Sequence, residues 1–311
     1  MPTKAVMESS LVAATADSTE KIDLIVIGAG INGAGIARDA VLRGLRVVLL
    51  DKGDIGSGTT SWSTRLIHGG LRYLEHREFG LVRESLRERE RLLHIAPHLV
   101  HPLPLLLPIY RGDQRGRSLI RAGMVAYDIL SREKSIPSHR MLDREAALAR
   151  APGLAQSHLL GAALYHDAQV EYPERLALEN ALDARTRGAL VRTYHRVDKI
   201  LTEDGRVAGV SGRDILSGEP FRFDAPVVIN VAGPWVDDVL RETPEAGRER
   251  LIGGTKGSHV VVDPFPGAPM DALYAEARQD GRPFFIIPWN NLYLIGTTDT
   301  RYTGDPDRVE I

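Results

Sequence analysis

One stretch near the start constrains this chain most: Gly28-Ala29-Gly30-Ile31-Asn32-Gly33, a G-x-G-x-x-G placed directly after the apolar run Ile22 to Ile27. An apolar, β-branched run passing straight into glycines predicts a buried parallel strand entering a tight turn. Small residues from Ala34 to Arg43, stopped by Gly44, predict a helix, and Arg46 to Leu50 predicts a second strand closing on Asp51, 18 residues after Gly33. In such a βαβ unit the first glycine turns the chain, the second lets a pyrophosphate touch backbone, and the third lets helix pack on strand. The helix N-terminus faces the phosphates, while an acidic residue at the end of the second strand suits a ribose 2′-hydroxyl and argues against a 2′-phosphate. Gly28, Gly30, Gly33 and Asp51 therefore predict a bound dinucleotide.

The rest of the chain reads as two domains. Phe79 to Ile95 is a predicted helix with Val82, Leu86, Arg89 and Leu93 on one stripe, and Pro102 to Pro108 predicts an extended or edge segment. Arg111 to Arg121 forms a basic loop leading into an apolar helix, Leu119 to Leu130. Strands are expected at Leu190 to Val197, Arg206 to Ile215, Phe221 to Ile229, Ser258 to Val262, Phe284 to Ile287 and Tyr293 to Thr298, a pattern that implies a second, mostly antiparallel domain. Composition removes several alternatives. With 39 basic against 41 acidic residues, no concentrated basic field predicts nucleic acid. Zero cysteines exclude disulfides, thiolate metal sites and cysteine nucleophiles, no metal site is expected, and redox chemistry would need an organic cofactor. No apolar run reaches the roughly 18 residues of a spanning helix. Residues 1–21 read as a disordered tail.

Two further segments carry chemistry. Directly after the ribose-binding strand comes Gly56-Ser57-Gly58-Thr59-Thr60-Ser61-Trp62-Ser63-Thr64, a run of neutral hydroxyl donors. It reads either as a polar surface loop or as a second phosphate- and ribityl-facing loop, through Thr59, Thr60, Ser61, Ser63 and Thr64, which suits FAD better than a nicotinamide dinucleotide. The strand ending in Asn230-Val231-Ala232-Gly233 likewise permits close approach of backbone to a ligand. His68-Gly69-Gly70-Leu71-Arg72-Tyr73 concentrates a histidine, an arginine and a tyrosine around two glycines. His68 suits general base work or a structural hydrogen bond, and Arg72 suits a bidentate clamp on phosphate or carboxylate.

Taken together, these segments strongly resemble FAD-dependent, quinone-linked glycerol-3-phosphate dehydrogenase. Agreement continues through Ala96-Pro97-His98-Leu99, Tyr165 to Asn180, Lys256-Gly257-Ser258-His259, Ile287-Pro288-Trp289 and Ile295-Gly296-Thr297-Thr298-Asp299, from about Asp23 to the last residue. The resemblance implies an α/β fold: a Rossmann-like FAD-binding domain of the glutathione-reductase and D-amino-acid-oxidase type, with a second mixed, mostly antiparallel β substrate domain. The expected division assigns residues 22–100 and 165–236 to the FAD-binding domain and 101–164 and 237–311 to the substrate domain. It implies FAD as cofactor, with Val197, Ala232 and Gly233 added to the residues holding it. It implies His68 as base or proton relay with Arg72 as the other catalytic group, and Arg72, Tyr73, Lys256 and His259 toward sn-glycerol 3-phosphate. Electrons would pass to quinone, or to oxygen in an oxidase. The implied setting is cytoplasmic, with peripheral attachment to the membrane and homo-oligomerisation as options. Trp62 and Arg65 depart from the family pattern, and the family's later Gly-Val-Arg-Pro strand, Gly-Gly-Lys segment and helical domain do not occur before Ile311. The chain thus reads as truncated at its C-terminus, with an inactive flavin-binding fragment as the remaining alternative.

Overall fold

The computed structural model describes residues 21–74, 76–113, 115–132, 134–241, 243, 250–277 and 281–310, without the side chain of Arg72. Residues 1–20, most of the expected tail, lie outside the described residues. In chain order the elements are β1 (Leu24–Ile27), α1 (Ile31–Leu42), β2 (Val47–Leu50), β3 (Leu66–Ile67), α2 (Phe79–Ile95), β4 (Val100–Tyr110), α3 (Arg117–Leu130), β5 (Arg140–Leu142), α4 (Arg144–Arg150), β6 (Leu159–Val170), α5 (Pro173–Thr186), β7 (Leu190–Arg192), β8 (His195–Glu203) and β9 (Arg206–Asp214). They continue with β10 (Pro220–Asp224), β11 (Val228–Asn230), α6 (Val236–Leu240), β12 (Thr255–Lys256), β13 (Val260–Val262), β14 (Ala272–Glu276), β15 (Pro283–Trp289), β16 (Leu292–Gly296) and β17 (Thr300–Arg301).

Among the described residues, unit one falls within 21–60 and 177–252. Its centre is a parallel sheet in the order β11-β1-β2-β7. Every residue of β1 and β2 is buried, as expected for strands covered on both faces. One face packs on the alanine side of α1, where Ala34, Ala37 and Ala40 meet Ala177, Ala181 and Ala184 of α5. Small side chains let helix and sheet approach closely. The other face, through Ile25, Ile27, Val48 and Leu50, packs with Val197, Ile200 and Val210 of the antiparallel sheet β10-β9-β8 and with Val239 of α6.

Unit two comprises residues 61–176 and 253–311. Its sheet runs β13-β16-β15-β14-β4-β6-β3, with β5 beside β6. The core clusters Val82 and Leu86 of α2, Ile120, Met124 and Tyr127 of α3, and Leu103, Leu105 and Ile109 of β4. Strand β4 is internal, not the edge its prolines suggest: it pairs antiparallel with β6 along its length and parallel with β14 at Leu105 and Leu106. Pro102, Pro104 and Pro108 share one parity, and backbone N–H groups alternate in direction along a strand, so the missing donors fall on one edge of β4 only.

The division differs from the expected one. Residues 61–100 and 165–176 belong to unit two and 237–252 to unit one. Strand β6 is continuous from Leu159 to Val170 and pairs with β4 throughout, so no boundary falls at 164; α2 buries its apolar stripe in the same core as β4. Val239 of α6 packs in the core of unit one.

Candidate active site

In unit one the glycine turn is held from three sides. Gly28 has φ +106°, and a Cβ there would lie 2.5 Å from the Val231 carbonyl oxygen, so the residues beside Ala232 pack on the turn itself. A Cβ on Gly33 would lie 1.7 Å from the Gly28 oxygen, which only glycine avoids. The Asp51 carboxylate accepts the Ala29 amide at 2.6 Å and the Gly53 amide at 2.8 Å, fixing the end of β2 against the turn. The amide of Ile31, first in α1, donates to the Thr60 hydroxyl at 3.1 Å. Gly30 at the N-cap offers no side chain, and no acidic residue occupies the first turn of α1. This helix end therefore keeps the positive field that an anion needs.

Nearby, a Cβ on Gly58 would lie 3.0 Å from the Trp235 ring, and the Lys52 ammonium sits 4.2 Å from the centroid of that ring. The buried Trp235 indole N–H has no acceptor among the described residues. A carboxylate at the end of β2, an open helix N-terminus and this spare donor fit a phosphate-bearing dinucleotide. Thr59 is exposed and Gly233 adopts φ +56° in the turn after β11. Val197 differs from the others: it is 8 % exposed and gives its side chain to the core, leaving only its backbone for a ligand.

In unit two, His68 is exposed, and its ring packs edge-on to Phe285 at 6.2 Å between centroids. Phe285 pairs with Gly296, and Gly296 lies under the His259 ring, where a Cβ would come within 2.5 Å. The two histidines thus flank one patch of β15 and β16. His259 Nε2 is 3.0 Å from the Thr64 hydroxyl, and burial, reinforced by the Arg65 charge, pushes its pKa below the ordinary 6.5. Arg65 is committed to structure: its guanidinium bonds the Glu171 and Ser61 carbonyls at 2.7 and 3.2 Å, pairs with Glu174 and stacks over Trp289. Ser63 accepts the Arg65 amide at 3.3 Å. Lys256 has partners of its own. Its ammonium donates to the Glu310 carbonyl at 2.5 Å and faces the Tyr302 ring. Tyr73 lies against Gly70, whose φ of +64° admits the ring. The side chain of Arg72 lies outside the described residues.

Beneath the His68 turn is a group that sequence reading does not assign to the site. Arg89 and Asp167 are each 1 % exposed and paired at 2.5 Å, and Tyr127, 3 % exposed, donates to the same carboxylate. Burial pushes the Asp167 carboxyl above its usual range against the pull of Arg89, and burial together with Asp167 pushes the Tyr127 hydroxyl well above its own. The signal was present in part: an arginine on the buried stripe of α2 demands a buried partner.

Residues 23–311 match the profile of the family described as FAD dependent oxidoreductase. A glycerol-3-phosphate dehydrogenase of Synechocystis sp. is 55% identical over 297 residues, covering 93% of this chain and 54% of that protein. An alpha-glycerophosphate oxidase of Streptococcus pyogenes is 36% identical over 297 residues, covering 93% of this chain and 48% of that protein. Among solved structures, the glycerol-3-phosphate dehydrogenase of Bacillus halodurans complexed with FAD superposes with a TM-score of 0.73 at 32% identity, over 94% of this chain and 50% of that one. The chain spans about half the length of the curated relatives it matches.

Proposed function

The chain belongs to the family of FAD-dependent oxidoreductases, and on that footing we propose that the protein oxidises sn-glycerol 3-phosphate to dihydroxyacetone phosphate. The observation that carries this reading is the 55% identity to a glycerol-3-phosphate dehydrogenase across 297 residues that include His68-Gly69-Gly70-Leu71-Arg72-Tyr73. FAD, when bound, supplies the acceptor for the hydride that leaves C2. In unit one Gly28, Gly30, Gly33, Thr60 and Asp51 would hold its dinucleotide part, with Thr59, Ala232, Gly233 and the Val197 backbone beside them. Ser61, Ser63 and Thr64 belong to the same proposed set.

In unit two His68 faces the reacting hydroxyl, and Arg72, Tyr73 and His259 complete the proposed substrate set. The Lys256 ammonium is engaged elsewhere and would have to leave the Glu310 carbonyl to join them. His68→Ala is expected to lower turnover by about 10² or more while FAD content stays at the wild-type level, since a single well-aimed group at the reacting oxygen is worth about 10² to 10³ in rate. Steady-state kinetics with FAD quantified by absorbance check this; unchanged turnover would return His68 to a structural role.

We assign quinone as the electron acceptor. The similarity to an alpha-glycerophosphate oxidase favours oxygen as the second reading, and peroxide formation separates the two. Quinone lives in the bilayer, and no helix among the described residues is long and apolar enough to cross one. A lipid surface is therefore the proposed partner, with homo-oligomerisation left to sizing in solution. Helix α3 presents Ile120, Met124 and Tyr127 to the core while Leu119, Val125 and Ile129 remain exposed, as are Arg121 on the helix and Arg111 in the turn before it. Arg115 and Arg117 are engaged with Glu276 and the Leu160 carbonyl. Exposed apolar side chains flanked by arginines suit anionic headgroups, at about 1 kcal/mol for each basic residue near the surface. Replacing Arg111 and Arg121 by serine should weaken co-sedimentation with anionic vesicles at low salt; equal sedimentation of both proteins would remove this face as the contact.

A further inference from the structure

A buried chain of hydrogen bonds ends at the ring of His68. Arg89 Nη1 donates to Asp167 Oδ1 at 2.5 Å and to the His166 carbonyl at 3.2 Å. The Tyr127 hydroxyl lies 2.9 Å from both carboxylate oxygens of Asp167 and accepts the Gly69 amide at 2.9 Å. A carboxylate paired with arginine accepts only, so the single phenolic proton points to Asp167 and the oxygen's lone pairs are turned to Gly69. One residue further, the Gly70 amide donates to His68 Nδ1 at 3.2 Å. A backbone N–H can only donate, so Nδ1 carries its lone pair and a neutral imidazole must hold its proton on Nε2. Both glycines are required by this arrangement: a Cβ on Gly69 would lie 2.5 Å from the Tyr127 hydroxyl, and one on Gly70 2.4 Å from the Tyr73 ring.

We propose that Arg89, Asp167 and Tyr127 are positioning residues that fix the Gly69-Gly70 turn and thereby hold neutral His68 as its Nε2–H tautomer, so that His68 meets an anionic oxygen of the substrate as a hydrogen-bond donor. The donor role rests on the reading that His68 faces glycerol 3-phosphate; the tautomer does not. A base acting at Nε2 needs Nδ1 protonated and donating, the reverse of what the Gly70 amide allows. His68 then stabilises charge on the reacting molecule, where a single well-aimed donor is worth about 10² to 10³ in rate. Tyr127 and Asp167 touch neither substrate nor cofactor in this scheme and act through the turn.

The test is the side-chain ¹⁵N spectrum of histidine-labelled, flavin-loaded protein near neutral pH, with the His68 signals identified by their loss in His68→Gln. The expected wild-type pattern is an unprotonated Nδ1 and a protonated Nε2. Tyr127→Phe keeps the ring and removes the acceptor of the Gly69 amide, and is expected to average the two His68 tautomers and to lower kcat about tenfold to a hundredfold with a smaller change in KM. Circular dichroism and the melting curve show whether that variant is folded, and the wild-type spectrum decides the tautomer without it. A protonated Nδ1 in wild type, or a folded Tyr127→Phe variant with unchanged tautomer and kcat, overturns the proposal. The expected tautomer in a protein that does not turn over glycerol 3-phosphate overturns the substrate reading and the donor role with it, and leaves the tautomer assignment standing.

Discussion

Gly33→Ala is expected to abolish flavin binding and to destabilise unit one by at least about 3 kcal/mol, the upper part of the range for overpacking. The added Cβ would lie 1.7 Å from the Gly28 oxygen and 2.9 Å from its carbonyl carbon, both backbone atoms of the turn that positions α1. Neither can rotate away, so α1 must shift and its first-turn amides leave the place that the phosphates would occupy. Gly35, two residues on in the same helix, provides the contrast. A Cβ there meets nothing within 4 Å, and Gly35→Ala should stabilise the protein by about 0.5 to 1 kcal/mol by removing a flexible residue from a helix interior. Chemical denaturation and the FAD content of the purified variants check both. A Gly33→Ala protein with normal flavin content would show that the turn is not where the cofactor docks.

Asp167→Ala has the second large effect, a loss of about 3 to 5 kcal/mol from unit two. The cost does not measure the worth of the ion pair. It arises because the Arg89 guanidinium, 1 % exposed, would keep its charge in the core with only the His166 carbonyl to answer it. Two of its nitrogens, Nε and Nη2, already have no partner among the described residues, so those residues offer no spare acceptor to redirect. Replacing both partners together, Arg89→Met with Asp167→Leu, removes the charge and its need at once and should recover most of the lost stability. If the double variant is as unstable as Asp167→Ala alone, shape and not charge holds this core.

Much of unit one was legible in the sequence because its determinants are local. The run Ile22 to Ile27, the glycine turn and the closing Asp51 specify strand, turn and strand within 30 residues; in unit two, α2 likewise begins and ends where its periodicity and Pro97 place it. The domain division was not legible, because it depends on which distant strands pair. Nothing near Tyr165 announces that β6 runs unbroken beside β4, and three prolines in β4 argue for an edge until their common parity is matched to a partner. The site divides in the same way. The Ser/Thr loop and the two glycines of the His68 turn can be read from neighbours in sequence, whereas Tyr127 and Asp167 lie 58 and 98 residues beyond Gly69 and enter only through the folded core. Arg89 was the visible half of that arrangement, a charge on an apolar stripe whose partner the sequence could not name.

On the proposed function, this FAD-dependent oxidoreductase takes its electrons from glycerol 3-phosphate. The most direct test is the visible absorption of the bound flavin, followed under anaerobic conditions with no acceptor present. Addition of sn-glycerol 3-phosphate should bleach that absorption with stoichiometric formation of dihydroxyacetone phosphate, while glycerol, free amino acids and NADH leave it unchanged. A flavin that stays oxidised with glycerol 3-phosphate and is reduced by an amino acid would contradict the proposed function.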